Sequence, residues 1–243
     1  MSSANVTSKP LAGMTALVTG ASRGIGLAIA HRLGELGARL SLCARDAARL
    51  ESAAAALRKE GFEALAMVAD VTHANEIQTF VDRTHRELGP IDILINNAGI
   101  GRFGPAHQMS EADWDAVLDT NLKSVFLVIR AVAPGMIERK RGHIVNISSL
   151  AGKNAFANGG IYCASKWGLM GLTACMAEDL RAHNIRVSAI CPGSVATDFS
   201  PHTGRDTSKL LQPDDVAHAV ATLVTQAPQS FISEIDLRPT QKP

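Results

Sequence analysis

Aromatic side chains are scarce in this sequence, at 4% of residues with a single tyrosine. No charge sign dominates either: 24 lysines and arginines face 23 aspartates and glutamates, a net +1. A surface built for nucleic acid or an anionic membrane carries a marked basic excess, so neither is the expected partner. The four cysteines, Cys43, Cys163, Cys175 and Cys191, form no CxxC pair, and the eight histidines form no HxxxH pair. No metal site or disulfide framework is therefore expected, and a reducing, cytoplasmic setting fits. No apolar run approaches the roughly 18 residues of a membrane span. The opening "MSSANVTSKPLAG" lacks the apolar stretch of a secretion signal. Residues 1–12 read as a flexible arm and 13–243 as one domain, without linker, repeat or composition break.

Short apolar runs alternate with longer helical patterns. Strands are predicted at 14–20, 38–44, 63–70, 91–99, 142–149, 185–193 and 230–237. Helices are predicted at 24–37, 46–61, 73–88, 110–137, 159–182 and 213–226, with Asp46 as an N-cap. Such alternation predicts an α/β fold, a doubly wound parallel sheet with helices on both faces.

Ligands of such sheets bind beyond the carboxyl ends of the strands. The first of these ends reads "TGASRGIG", with Gly20, Gly24 and Gly26 in a strand-to-helix turn. Small residues there let the backbone approach a pyrophosphate, and the helix N-terminus favours its negative charge. The second end reads "CARD", with Ala44 where an acid would select the 2′-hydroxyl of NAD. Arg45 follows, and Arg23 in the first loop is a second cation able to reach a 2′-phosphate. The single tyrosine, Tyr162, lies four residues before Lys166 in "YCASK". On a helix that spacing sets both on one face. A lysine charge about 4 Å from the phenol oxygen favours the phenolate by up to about 4 kcal/mol at a dielectric of about 20, which would tune the pair towards neutrality.

TGASRGIG, "NNAG" (96–99), "NISS" (146–149) and YCASK occur in the order of the short-chain dehydrogenase/reductase family. The sequence resembles that family from about residue 13 to 198, and looks most like its NADPH-dependent 3-oxoacyl thioester (acyl-carrier-protein) reductases. The resemblance implies a Rossmann-like seven-stranded sheet and NADPH/NADP as cofactor. It implies Tyr162 as proton donor, Lys166 as holder of the nicotinamide ribose, Ser149 as hydrogen-bond donor to the substrate oxygen, and Asn121 as holder of a water that relays protons to Lys166. It also implies cofactor contacts at Ser22 and Ile25 in the first loop, at Asp70 and Val71, at Asn97, Ala98 and Gly99, and at Pro192, Gly193, Val195 and Thr197 of "CPGSVAT". Taken singly, Ser149 could cap a turn and Asn121 could satisfy helix backbone.

Two features depart from that pattern. The segment Ser194–Leu211 is short, polar and rich in turn formers, which reads as a mobile lid and implies broad substrate acceptance. Arg205 and Lys209 within it could instead grip a carrier. The ending "IDLRPTQKP" lacks the Asp-Gly-Gly common in 3-oxoacyl reductases. Three functions stay open: reduction of a small ketone or acyl thioester, oxidation of an alcohol or sugar alcohol, and nucleotide sensing without turnover. Apolar residues Trp167, Leu169, Met170, Leu172 and Met176 on one helix predict a homodimer or homotetramer.

Overall fold

The computed structural model describes residues 9–199 and 206–241. Its strands are β1 (Thr15–Thr19), β2 (Arg39–Ala44), β3 (Ala64–Val68), β4 (Ile91–Asn96), β5 (Gly142–Ile147), β6 (Ile185–Pro192) and β7 (Glu234–Leu237). They pair in the order β3-β2-β1-β4-β5-β6-β7, every neighbour parallel. Seven parallel strands need crossover helices, and these are α1 (Gly24–Glu35), α2 (Ala47–Lys59), α3 (Ala74–Leu88), α4 (Glu111–Leu118), α5 (Ser124–Arg139), α6 (Gly160–Arg181) and α7 (Pro213–Val224). The expected doubly wound, Rossmann-like sheet is what forms.

Alternation along β1 shows how one strand feeds two cores. Ala16 and Val18 join the cluster under α1, α2 and α7, while Leu17 joins the cluster under α3, α5 and α6. Large residues such as Leu17, Leu94 and Ile95 are fully buried. Each contributes about 1.5–3 kcal/mol by leaving water. Among the described residues no helix is long and apolar enough to cross a membrane.

Three sequence expectations need correction. The arm does not extend to residue 12: Leu11 is buried in the first core, and its N–H donates to Leu36 O at 2.9 Å. Residues 1–8 lie outside the described residues. The helix expected over 110–137 is two helices joined by a π-turn, Asp119–Lys123. The last strand is four residues long, with alternating exposure that fits an edge strand covered on one face.

The strand order reverses between β1 and β4. That switch point opens a crevice at the carboxyl ends of the strands, where TGASRGIG, NNAG and NISS follow β1, β4 and β5.

Candidate active site

The first wall is the turn after β1. Gly20 has φ +66° and Gly24 φ +55°, both in the left-handed region that other residues enter at a cost. Arg23, the N-cap of α1, makes no side-chain cap bond, and the first turn holds no acid. The helix therefore presents its end N–H groups without an internal anion to satisfy them. A Cβ on Gly26 would collide with Gly20 O and stand 2.5 Å from Asn97 Nδ2. Thr19 locks the second loop onto the first: its Oγ1 accepts from Asn97 N at 3.0 Å and Ala98 N at 3.1 Å. Asn97 Nδ2 donates in return to Thr19 O at 3.0 Å. Close backbone, free helix N–H groups and no carboxylate fit a dinucleotide pyrophosphate.

Beyond β2 and β3 lie Arg45 and Asp70. Arg45 Nη1 stands 3.8 Å from Asp70 Oδ2, with its side chain 63% exposed. Burial raises the Asp70 pKa, but hydrogen bonds from Thr72 and the Arg45 charge outweigh it and hold the carboxyl below its usual value. Asp46 is the expected N-cap of α2, accepting from Arg49 N at 3.0 Å. Arg49 lines the same cleft, a third cation that the motif did not single out. Arg23 does not turn towards Arg45. It pairs with Asp198 at 2.9 Å, an exposed bridge worth about 0–1 kcal/mol.

The chemical wall is the start of α6 against the ends of β5 and β6. A buried chain fixes that contact: Asn96 Nδ2 donates to Asn146 Oδ1 at 2.8 Å, and Asn146 Nδ2 to Thr173 Oγ1 at 2.9 Å. Lys166 is buried, and its Nζ donates to Ile147 O at 2.9 Å. Burial lowers its pKa to about 8. Tyr162 is raised to about 12 by burial, while its hydrogen bond with Ser149 pulls the other way. The four-residue spacing alone predicts that the lysine lowers the tyrosine. The geometry overrides it: Nζ lies 5.9 Å from the ring centroid, bonded to a strand carbonyl, and desolvation of the phenolate dominates. Ser149 Oγ also accepts from Ala151 N at 3.1 Å, so it caps a turn as well as facing the phenol.

Asn121 sits in the π-turn, 1% exposed. Its Oδ1 accepts from Ile100 N at 2.8 Å, and its Nδ2 donates to Ile100 O at 2.9 Å and Ser165 Oγ at 3.1 Å. Ser165 Oγ in turn donates to Tyr162 O at 2.7 Å. Asn121 thus connects the loop after β4 to the backbone of the tyrosine. Every other residue expected to serve catalysis or the cofactor lines one cleft of about 1440 Å³, including Ser22, Ile25, Val71, Gly99, Pro192, Gly193, Val195 and Thr197.

The cleft also contains residues that the motifs missed. Phe103 and Phe199 approach Tyr162 from two loops, Phe156 packs on Phe103 from a third, and Arg238 to Gln241 line the side beyond β7. Isolated phenylalanines in polar loops gave no periodic signal. Of the expected lid, residues 200–205, with Arg205, lie outside the described residues. Its base is closed by Ala196 N to Leu211 O at 2.8 Å, and Lys209 pairs with Asp206 at 3.8 Å. Cys191, Glu234 and Asp236 come together near β6 and β7, where the Lys153 ammonium already bridges the two carboxylates.

The family model described as short chain dehydrogenase matches residues 14–208. The chain is 44% identical to gluconate 5-dehydrogenase of Gluconobacter oxydans over 190 residues, 78% of this chain and 74% of the relative. It is 35% identical to a 3-oxoacyl-[acyl-carrier-protein] reductase of Synechocystis over 231 residues, 92% and 94% of the two chains. A solved metagenomic short-chain oxidoreductase in complex with NADP is 50% identical, with TM-score 0.86, covering 96% of this chain and 100% of that one.

Proposed function

This chain belongs to the short-chain dehydrogenase family, and on that premise we propose that the chain from Leu11 onwards forms one catalytic domain acting as an NADPH-dependent carbonyl reductase. The observation that carries the reading is the Tyr162 phenol in the wall of the cleft, hydrogen-bonded to Ser149 and one helical turn from the buried Lys166 ammonium. At neutral pH that group is an acid with a proton to give. By microscopic reversibility the same tyrosine would take the proton back in alcohol oxidation, so reduction is favoured on the cofactor side, where Arg45 with Ala44 in place of an acid suits NADPH.

Bound NADPH supplies the hydride. Tyr162 gives its phenolic proton to the carbonyl oxygen, and the product is a secondary alcohol. The Ser149 hydroxyl donates to the same oxygen and holds it in reach of Tyr162. Lys166 keeps two ammonium protons free beside its bond to Ile147 O, and these hold the ribose hydroxyls. Its charge also stabilises the phenolate left behind. Asn121 is a positioning residue, acting through Ser165 on the backbone of Tyr162. The loops of Gly20 to Gly26 and Asn97 to Gly99 take the pyrophosphate and nicotinamide side, with Pro192 to Thr197 opposite. Asp70 and Val71 take the adenine edge.

Arg45, with Ala44 in place of an acid, supports the choice of NADPH. The double variant Ala44→Asp, Arg45→Ala should reverse the preference. An arginine bond to phosphate is worth about 1.5–3 kcal/mol, so kcat/KM for NADPH should fall about 10- to 100-fold. Equal kcat/KM for NADPH and NADH in the unmodified protein would reject this assignment.

We also propose a homo-oligomer. Of the apolar stripe on α6, Leu169 is buried and Met170, Leu172 and Met176 are half-buried, so the stripe is less exposed than the sequence suggests. Trp167 on α6, Trp114 on α4 and Phe126 on α5 remain 53%, 48% and 41% exposed. Large apolar side chains of this kind commonly mark an interface. Light scattering at micromolar concentration should give a dimer or larger, and a monomer would reject the proposal. The reaction itself is tested by NADPH consumption, followed at the nicotinamide absorbance, with ketones and 3-oxoacyl thioesters. Tight NADPH binding without turnover of any carbonyl would point instead to a nucleotide sensor.

A further inference from the structure

The cleft wall that faces Tyr162 is aromatic. Phe103 follows β4, Phe156 lies between β5 and α6, and Phe199 follows β6. Phe103 stands edge-on to Tyr162 with ring centroids 5.4 Å apart, and Phe199 is tilted against it at 5.7 Å. Phe156 extends the group, 6.1 Å from Phe103. The three rings are 41%, 49% and 40% exposed in order of sequence, and all line the cleft. Three of only seven phenylalanines thus stand open to water beside the proton donor.

Their placement is built in. A Cβ on Gly101 would lie 2.7 Å from Phe103 Cε2 and 3.1 Å from Phe199 Cε1, so both rings rest on that glycine. A Cβ on Gly159 would lie 2.5 Å from Phe156 Cζ. Gly104 N donates to Asn158 O at 2.8 Å, which ties the loop of Phe103 to the loop of Phe156. The nearby Asn154 amide donates to Leu150 O at 3.1 Å within its own turn.

We infer that Phe103, Phe156 and Phe199 form a substrate box for a ketone carrying an aryl or similarly flat apolar ring next to its carbonyl. This deepens the carbonyl-reductase reading and rests on it, and it narrows the broad acceptance expected from the lid segment. Aromatic rings prefer edge-to-face or offset contact with centroids about 4.5–7 Å apart, the spacing that Phe103 and Phe199 already keep with Tyr162 and Phe156 with Phe103. A substrate ring continues that arrangement and leaves water against exposed ring faces. A polyhydroxylated chain would surrender hydrogen bonds to water there and find phenylalanine instead. Arg238 and Gln241, which also line the cleft, are the groups that would favour a sugar acid instead.

The test compares kcat/KM with NADPH for 1-phenyl-1-propanone, 2-nonanone and 5-keto-D-gluconate. The aryl ketone should lead the straight-chain ketone by about tenfold and the keto acid by about a hundredfold or more. Phe103→Ala and Phe199→Ala should each lower the ratio of aryl to straight-chain kcat/KM by about tenfold. Gly101→Ala should lower the same ratio by displacing both rings without removing either. A keto acid that matches or exceeds the aryl ketone, or variants that leave the ratio unchanged, would overturn the box. If no carbonyl consumes NADPH, the reductase reading fails, and saturation-transfer NMR of 1-phenyl-1-propanone with the NADP complex still decides the box. Ring signals that vanish in Phe103→Ala support it, and their absence in the unmodified protein overturns it.

Discussion

Tyr162→Phe is expected to lower kcat by about 10²–10⁴-fold while the affinity for NADPH stays the same, because the substitution removes one hydroxyl and nothing else. The phenyl ring keeps its contacts with Phe103 and Phe199, so the wall of the cleft stays in place. No second tyrosine exists anywhere in the chain to take over the proton. Ser149 remains, but an aliphatic hydroxyl is a far weaker acid than a phenol. Fluorescence titration with NADPH and steady-state rates on one ketone measure both halves of the expectation. Retention of more than about a tenth of the activity would remove Tyr162 from the role of general acid.

Lys166→Met should separate stability from activity. Burial lowers Lys166 from 10.5 to about 8 in the folded protein. The unfolded chain therefore holds this proton more tightly than the folded one. The penalty to stability is absent well above pH 10.5, grows as pH falls towards 8, and is fully present below that. The difference corresponds to about 3 kcal/mol. Methionine matches the length without the charge, but it leaves Ile147 O without its donor, at a cost of about 1–3 kcal/mol. A net gain of about 0–2 kcal/mol at pH 7 would raise Tm by up to a few degrees in a chain of this size. At pH 10 the gain should shrink or reverse. Activity should fall at least about a hundredfold, because both the ribose grip and the charge beside the phenolate are lost. Thermal melts at the two pH values check the sign. A variant less stable than the parent at pH 7 would mean that the ammonium supports the fold, and the account of its burial would be wrong.

Much of this molecule is legible in local sequence, for identifiable reasons. Buried parallel strands leave short apolar runs, and Asp46 and Gly24 mark helix starts by chemistry that acts within four residues. The glycines of the first turn are legible because the backbone there permits little else. Failures occur where a distant contact decides. Nothing near Arg23 in the sequence announces Asp198, 175 residues away, as its partner. Phe103, Phe156 and Phe199 become a group only when three loops converge. The direction of the Tyr162 shift depends on burial, which the four-residue spacing to Lys166 does not contain. The π-turn hides for another reason. One additional residue shifts the apolar period too little to register against a helix that continues on both sides.

That turn places a constraint on chain length. α4 and α5 form nearly one rod, but the turn at Asp119–Lys123 holds an additional residue relative to α-geometry. Deleting one residue there would restore a regular helix with α4 and α5 still in phase, because the wide turn absorbs that residue, whereas deleting one from α4 would rotate everything beyond it by about 100° about the axis. Val125, Val128 and Val132 would then swing out of the second core, or α4 would leave its seat against α6. Asn121 would lose Ile100 in either case. A loop such as the one after β5 has no fixed phase to keep and can absorb a residue by bulging. Insertions and deletions are therefore admissible around the mouth of the cleft and barred from the rod behind it.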